Sequence, residues 1–261
     1  MIRQVRAVVN RSPSTRQIIR TPLPRSSSAK DLGRLYEAKS SSYDTVLVPP
    51  DETWQGGCMQ LYRAAFPVAE DILRGVTGAP LPPRVLEDRS CDESGVDGVG
   101  YALTQCTDPQ NDVGCFVQPT QETLDYIKKN CEVAKGRLVM LHNPQWRDVD
   151  DALDTASKGG GILGGFASFL GGKGETLKTL DAMGFELTYC FDGYVCKGGD
   201  VWLLKHFDAP WHVFAENDDK TDYIFLGTKQ TRPSYQDVDA MLDAKGITVK
   251  YARDIGMAPK L

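Results

Sequence analysis

Short apolar runs alternate with helix-period segments through the first half of this chain, and this alternation constrains its fold more than any other feature. Strand-like runs occupy residues 45–50, 84–87, 113–117 and 137–141. Helical stripes of apolar residues occupy 59–73 and 120–134. Strands that alternate with helices in this order predict a parallel sheet with right-handed crossovers.

The second half has a different rhythm. A helix is predicted over 175–183, ending at Gly184, and close-set strand patterns follow at 185–191, 194–196, 201–207, 211–215 and 223–227. Because connections as short as 198–200 are typical of hairpins, we expect an antiparallel meander here. Ser234 is placed to cap a helix that extends to Ala244, and residues 247–251 are a candidate last strand.

The sequence therefore predicts an α/β fold of the Rossmann-like three-layer class, with a mixed sheet. The sheet is expected to be parallel in the first half and an antiparallel meander in the second. With 261 residues, of which 41% are hydrophobic, the chain can bury a full core. We expect a single α/β domain over 43–261. Seven cysteines without repeated spacing favour free thiols in a reducing compartment.

Residues 1–42 differ in charge from the rest of the chain. They carry nine basic side chains against two acidic ones, a net +7, whereas the remaining residues carry −12. No acid precedes Asp31, and serines cluster at 26–28, so this composition is typical of an organelle transit peptide. The alternatives are a disordered basic tail and an extended arm that contacts a partner. The candidate contacts of such an arm are Arg16, Arg20 and Arg25.

A glycine-rich stretch at 159–174 surrounds the apolar run 162–170. This run is about half as long as a membrane-spanning helix, which argues against an integral membrane protein. If exposed, its side chains are candidates for contact with a membrane surface or a partner. These candidates are Ile162, Leu163, Phe166, Phe169 and Leu170. The formal net charge of −5 offers no basic footprint for nucleic acid.

The sequence contains no motif that assigns a catalytic reaction, a cofactor or a metal. Residues 167–174 resemble a phosphate-binding loop, but Ala167 replaces its first glycine and Gly174 replaces its Ser or Thr. The first strand-to-helix turn lacks the glycines that a dinucleotide requires. Zinc-ligand spacings and a Gly-x-Ser-x-Gly elbow do not occur in the sequence. We predict no catalytic residues, no metal and no cofactor. The sequence does not identify cofactor-binding residues, and it leaves open whether the chain is an enzyme.

Several short strings follow one another in a fixed order. They are Val-Pro after the first strand, Asn-Pro after the fourth, Phe-Glu…Tyr at 185–189, a Trp-x-Val-Phe strand, and Arg-Pro-Ser before the last helix. The residues that identify them include Pro49, Asn143, Pro144, Trp211, Arg232, Pro233 and Ser234. In this order, over about residues 45–245, they resemble a plastid and cyanobacterial domain family of formally unknown function. That family includes factors whose loss lowers photosystem II accumulation, and it occurs as an extension of some plastid adenylate kinases. Residues 88–112 depart from the pattern of the family.

The resemblance implies a non-catalytic protein of the chloroplast, in the stroma or at the stromal face of the thylakoid membrane. It would be an accessory or scaffold subunit, or an assembly factor, of a photosystem or its antenna. Its partners would be photosystem core or antenna proteins, with the thylakoid membrane surface as a further contact. The alternative is a Rossmann-like enzyme or small-ligand binder with its pocket at the strand carboxyl ends, near Pro49, Pro119 and Asn143. Pigment binding is left open, because any of the three histidines could ligate a pigment magnesium, although a lone histidine is more often a core or surface residue.

Overall fold

The structure, a computed structural model, describes residues 1–23, 25–26, 46–47, 57–76, 84–89, 99–145 and 175–261. The chain divides into two compact units. Unit 1 consists of Met1–Trp146 and Leu180–Thr188, and unit 2 consists of Arg147–Thr179 and Tyr189–Leu261.

Unit 1 combines helices with a mixed sheet. Its described helices are α1 (Ile2–Arg11), α2 (Gly57–Leu73) and α3 (Leu124–Ala134). Its described strands are β1 (Arg16–Arg20), β2 (Arg25–Ser26), β3 (Val46–Leu47), β4 (Arg84–Arg89), β5 (Gly100–Gln105), β6 (Gly114–Val117) and β7 (Val139–His142). The predictions of α2, α3, β4, β6 and β7 are confirmed, whereas α1, β1 and β5 were not predicted.

The main sheet of unit 1 has the strand order β1-β7-β6-β5-β4. Strands β1 and β6 both pair with β7 in parallel, whereas β5 pairs antiparallel with both β6 and β4. The mixed sheet is thus confirmed, but within the main sheet of unit 1 only β1, β6 and β7 are parallel to one another. The connection from β5 to β6 is eight residues long and contains a single 3₁₀ turn (Pro109–Asn111). It is too short for a parallel crossover, so the two strands are antiparallel.

The alternation of side chains along β5 assigns the two faces of this sheet. A Cβ atom on Gly100 would lie 2.1 Å from the hydroxyl of Tyr62, so this face is in contact with α2. The next residue, Tyr101, accepts a hydrogen bond from Asn130 of α3. Because successive residues of a strand point to opposite faces, α2 and α3 lie on opposite faces of the sheet. Strands β6 and β7 are buried along their whole length, which explains their continuous apolar sequence.

The first 23 residues are folded into unit 1. Helix α1 buries Val5, Val8 and Val9, and Nε of Arg6 donates a hydrogen bond of 2.8 Å to the Asp71 carbonyl of α2. Strand β1 then pairs with β7 and buries Ile19. A helix and a sheet strand therefore occupy part of the segment 1–42, for which the composition indicated a transit peptide, a basic tail or an extended arm.

The strand predicted over 45–50 is present as β3, which has two residues and is not part of the main sheet. It pairs in parallel with β2 in a separate two-stranded sheet. Residues 45 and 48–50, and with them the predicted motif residue Pro49, lie outside the described residues.

The described part of unit 2 is an antiparallel meander followed by helices. Its strands are β8 (Glu186–Cys196, which begins in unit 1), β9 (Gly199–His206), β10 (Trp211–Glu216) and β11 (Tyr223–Lys229), and each pairs antiparallel with the next. Helix α4 (Glu175–Ala182, whose residues from Leu180 onward belong to unit 1) precedes β8, and helices α5 (Tyr235–Ala244) and α6 (Lys250–Asp254) follow β11. The predicted meander is confirmed, with the strands predicted over 185–191 and 194–196 joined into the single strand β8.

The end of the chain corrects one prediction. Ser234 caps α5 in a capping box with Asp237, as predicted. The strand predicted over 247–251 is wrong, because helix α6 begins at Lys250. The N–H of Lys250 donates to the Lys197 carbonyl at 2.8 Å, and Arg253 pairs with Asp218. These contacts to the β8–β9 and β10–β11 turns outweigh the strand preference of a short β-branched run.

Candidate functional site

An open groove with a volume of about 430 Å³ lies in unit 1, between α3 and the face that β5 and β6 present to it. Its volume falls within the range of roughly 300–1,000 Å³ that is usual for small-molecule sites. We call it the α3 groove. The side chains that line it include Tyr101, Phe116, Tyr126, Lys129, Asn130 and Val133.

The floor of the α3 groove is aromatic because of a glycine in the neighbouring strand. Gly114 lies two residues before Phe116 on β6, so the two residues are on the same face of the sheet. Tyr101, which pairs with Phe116, is on that face as well. A Cβ atom at Gly114 would lie 2.2 Å from the Tyr101 hydroxyl, so only glycine leaves room for the phenol ring there. The rings of Tyr101 and Phe116 then pack with their centroids 4.8 Å apart and tilted by 58°.

The wall of the groove is the side of α3 that does not face the core. The predicted core stripe of this helix is observed, with Ile127 buried and Cys131 half-buried. On another face, Tyr126 and Val133 are 67% and 70% exposed and are separated by two helical turns. Large apolar side chains that are this exposed above an aromatic floor form a surface suited to contact with a ligand or partner.

The polar groups of the groove come from adjacent positions on α3. Nδ2 of Asn130 donates a hydrogen bond of 2.9 Å to the Tyr101 hydroxyl, while Oδ1 of Asn130 is buried and has no hydrogen-bond partner within the described part of the chain. The ammonium of Lys129 lies 5.9 Å from the centroid of the Tyr126 ring, a cation–π arrangement. Burial raises the pKa of Tyr101, so its phenol stays protonated at neutral pH.

A second group of polar residues lies where the parallel strands β1, β6 and β7 end. We call Thr21, Gln118, His142 and Asn143 the carboxyl-edge cluster. Nδ2 of Asn143 donates to the Thr21 carbonyl at 2.9 Å, and Oδ1 of Asn143 accepts from the Thr21 N–H at 2.8 Å. Nε2 of His142 lies 2.9 Å from Oγ1 of Thr21, and the Gln118 N–H donates to the His142 carbonyl at 2.8 Å. The cluster therefore ties the three strand ends to one another.

The carboxyl-edge cluster is buried and conformationally strained. Gln118 and Asn143 adopt φ angles of 53° and 49°, in the left-handed region that non-glycine residues rarely occupy. Burial lowers the pKa of His142 to about 3, so its imidazole is neutral at physiological pH. With no exposed surface and with Nε2 engaged by Thr21, His142 does not offer that nitrogen to a pigment magnesium. Nδ1 of His142 and Nε2 of Gln118 have no hydrogen-bond partner among the described residues.

The predicted partner contacts have different environments in the structure. Arg16 is buried, and its guanidinium donates to the carbonyls of Thr15, Arg137, Cys131 and Lys135. Arg20 is half-buried and donates to the Pro144 carbonyl at 3.4 Å. Arg25 lies in β2, and its side chain is not described. The apolar candidates Ile162, Leu163, Phe166, Phe169 and Leu170 lie outside the described residues.

The described motif residues are divided between the two units. Asn143 belongs to the carboxyl-edge cluster of unit 1, and Pro144 follows it. In unit 2, Trp211 is buried in the meander, and the guanidinium of Arg232 lies 5.8 Å from its ring centroid and 3.5 Å from the Asp192 carboxylate. Ser234 caps α5 directly after Pro233. These residues are part of the framework and do not line the α3 groove.

The described residues offer neither a metal-binding cluster nor a membrane-spanning helix. No group of three or more His, Cys, Asp or Glu side chains in those ranges is placed to hold a metal ion. None of the described helices combines the length and the apolar character that crossing a bilayer requires. The cysteines at 106, 115, 131, 190 and 196 are free thiols.

The α3 groove was not predicted from the sequence. Two signals for it were available: the alternation in the Gly100–Gln105 segment, which marks a strand, and the apolar residues Tyr126 and Val133, which fall outside the core stripe of α3. Neither signal by itself indicates that the strand and the helix meet with a gap between them, because that depends on tertiary packing.

Comparisons with known proteins identify the family of the chain. A family model described as "Domain of unknown function (DUF1995)" matches residues 3–240, so the chain belongs to this family. No curated protein and no solved structure matches the chain. The α3 groove and the carboxyl-edge cluster both lie within the matched residues, whereas α6 lies beyond them.

Proposed function

We propose that this member of the DUF1995 family is a non-catalytic binding protein that serves a photosystem or its antenna, as an accessory or scaffold subunit or as an assembly factor. Its partners would be photosystem core or antenna proteins. Its place would be the plastid stroma or the stromal face of the thylakoid membrane. The ordered strings that resemble the photosystem II accumulation factors support this proposal.

The α3 groove is the observation that carries the proposal. It combines an aromatic floor, Tyr101 and Phe116, with the exposed apolar side chains of Tyr126 and Val133. Exposed apolar area of this kind is unfavourable in water, and it marks surfaces that bind something else. The groove is built on a helix and two sheet strands, so the contact surface is held in place by the core.

Residues 1–23 are folded into unit 1, and this bears on whether they would be cleaved off after import into a plastid. Strand β1 supplies Ile19 to the core and pairs with β7, so removal of residues 1–23 would open the sheet at β7. We therefore propose that residues 1–23 are retained in the working protein, whatever signal directs it to the plastid.

Fractionation of solubilised thylakoids tests the proposal. The tagged full-length chain is followed through native gels by mass spectrometry, alongside the double variant Tyr126→Ser/Val133→Ser. The control variant is Tyr251→Ser, whose side chain is 71% exposed on α6 and outside the groove. We expect the chain and the control to migrate with a photosystem complex or an assembly intermediate, and the double variant to be lost from that fraction.

Two results would contradict parts of this proposal. Absence of the chain from every membrane fraction would overturn the photosystem role. Equal migration of all three proteins would leave the association intact but would show that the α3 groove is not the contact surface.

A Rossmann-like small-ligand binder is the second candidate, and the carboxyl-edge cluster favours it. Open α/β sheets bind ligands outside the carboxyl ends of their parallel strands, where Gln118 and Asn143 adopt strained conformations. The placement of α2 and α3 on opposite faces of the sheet supports the Rossmann-like three-layer class. Thermal unfolding in the presence of nucleotides and pigment precursors tests this candidate. We expect a saturable rise in Tm for at least one compound, and a flat response to the whole panel would overturn it.

A further inference from the structure

We propose that the α3 groove binds an amphipathic carboxylate, with its apolar or aromatic body on the ring faces of the groove and its carboxylate at Lys129. This inference rests on the part of the proposed function that makes the groove a binding site. It deepens that function by naming the chemical class of the ligand.

The body of the ligand is specified by the ring surfaces. Tyr101 and Phe116 present a tilted aromatic pair as the floor, and Tyr126 and Val133 extend above it from α3. Flat rings and acyl chains gain favourable contact with such surfaces because they remove apolar area from water on both sides. At about 430 Å³, the groove has room for a small molecule.

The head group is specified by Lys129. Its ammonium is held over the Tyr126 ring at 5.9 Å, at the boundary between the apolar wall and solvent. Within the described part of the chain, Lys129 has no carboxylate within ion-pair distance. The cation–π face of Tyr126 is already occupied by this ammonium, so a cationic ligand would compete with Lys129, whereas a carboxylate would complement it.

Two of the residues that line the groove, Tyr101 and Asn130, also carry polar groups. Oδ1 of Asn130 is a buried acceptor without a partner among the described residues. The Tyr101 hydroxyl accepts from Asn130, so its own hydrogen is available for donation. Because Oδ1 of Asn130 has almost no accessible surface, the ligand is expected to contact the rings of the groove and Lys129.

Calorimetric titration of the full chain tests the inference with two probes. Naphthalene-1-acetate carries an aromatic body and a carboxylate, and naphthalene-1-acetamide has the same body with a neutral head. We expect saturable one-to-one binding of both, with the acid bound about fivefold more tightly, as for a partly exposed ion pair. In Lys129→Gln the preference for the acid should fall below about twofold.

Lys128→Gln is the matched control, because it removes the same charge from the adjacent exposed position of α3, which does not line the groove. It should retain the fivefold preference, whereas Tyr126→Ser should weaken binding of both probes. Urea unfolding of each variant establishes that the fold is intact.

Each remaining outcome counts against a distinct claim. Equal binding of the two probes, or equal effects of Lys128→Gln and Lys129→Gln, would overturn the carboxylate assignment and leave the groove as a binding site. Failure of both probes to bind would overturn the groove as a small-molecule site. The photosystem role would still be judged separately, by the fractionation.

Discussion

Replacement of Arg16 by methionine should destabilise unit 1, because the Arg16 guanidinium donates hydrogen bonds to backbone carbonyls at the carboxyl end of α3. Nη1 donates to the carbonyls of Thr15 (2.8 Å) and Arg137 (2.7 Å), and Nη2 donates to those of Cys131 (3.0 Å) and Lys135 (2.6 Å). Arg16 is 9% exposed, so water reaches these carbonyls poorly when the donor is removed. The cation also lies at the negative end of the α3 dipole.

The expected loss follows from these contacts. A hydrogen bond to a charged group contributes about 1.5–3 kcal/mol, but four bonds from one guanidinium are not additive. The substitution also removes the cost of burying a cation, which offsets part of the loss. We therefore expect Arg16→Met to lower the free energy of unfolding by about 3 kcal/mol.

Urea unfolding followed by circular dichroism measures this change. With a slope of about 2 kcal/mol/M, the midpoint should fall by about 1.5 M. Arg3→Met is the control, because Arg3 is exposed on α1 and the substitution removes the same charge; its effect should stay within about 0.5 kcal/mol. An Arg16→Met protein whose midpoint lies within about 0.3 M of the parent, at an unchanged slope, would refute the capping argument.

Three further predictions concern other parts of the fold. Asp218→Asn should cost about 3 kcal/mol in urea unfolding, because it breaks a buried ion pair with an arginine of α6. Since this pairing lowers the pKa of Asp218 from 3.8 to about 2, its contribution should be complete above about pH 4 and should decline as the pH falls through 2; an acid titration in which the Asn variant loses as much stability as the parent would contradict this. Gly114→Ala should lower the free energy of unfolding by about 1–3 kcal/mol, because the added methyl group would displace the Tyr101 ring. Gly136→Ala should leave this free energy nearly unchanged, because a Cβ atom there meets no atom within 4 Å. Iodoacetamide should alkylate half-exposed Cys106 in the native protein but not Cys115, whose pKa burial raises to about 12; peptide mapping would detect the reverse order.

Strands were predicted correctly where the local hydrophobic pattern matched the burial of the segment in the fold. Strands β6 and β7 are continuous apolar runs and are buried on both faces, and the meander of unit 2 was evident from its short connections. Ser234 caps α5 as predicted, because capping involves only residues within one helical turn. In all these cases the physical cause lies within a few residues of the chain.

The first 20 residues contain arginines whose contacts composition alone does not reveal. Arginines dominate the segment, and composition assigns them to solvent or to a partner. In the structure, Arg6 and Arg16 donate to backbone carbonyls of α2 and α3, which are distant in sequence. Apolar residues close to these arginines in the sequence, such as Val5 and Ile19, are buried in the core.

By itself, the sequence determined the α/β class, most of the strands and helices, and the antiparallel meander, because hydrophobic periodicity and turn chemistry are local properties. Only the tertiary structure decided that β1 pairs with β7, that β5 is antiparallel to β6, and that residues 250–254 form a helix. The existence of the α3 groove also depends on the tertiary structure. The position of Tyr101 over Gly114 and the exposure of Tyr126 follow from how a strand and a helix pack. Contacts between residues far apart in the chain leave no local pattern in the sequence. The candidate site of this protein is made of such contacts.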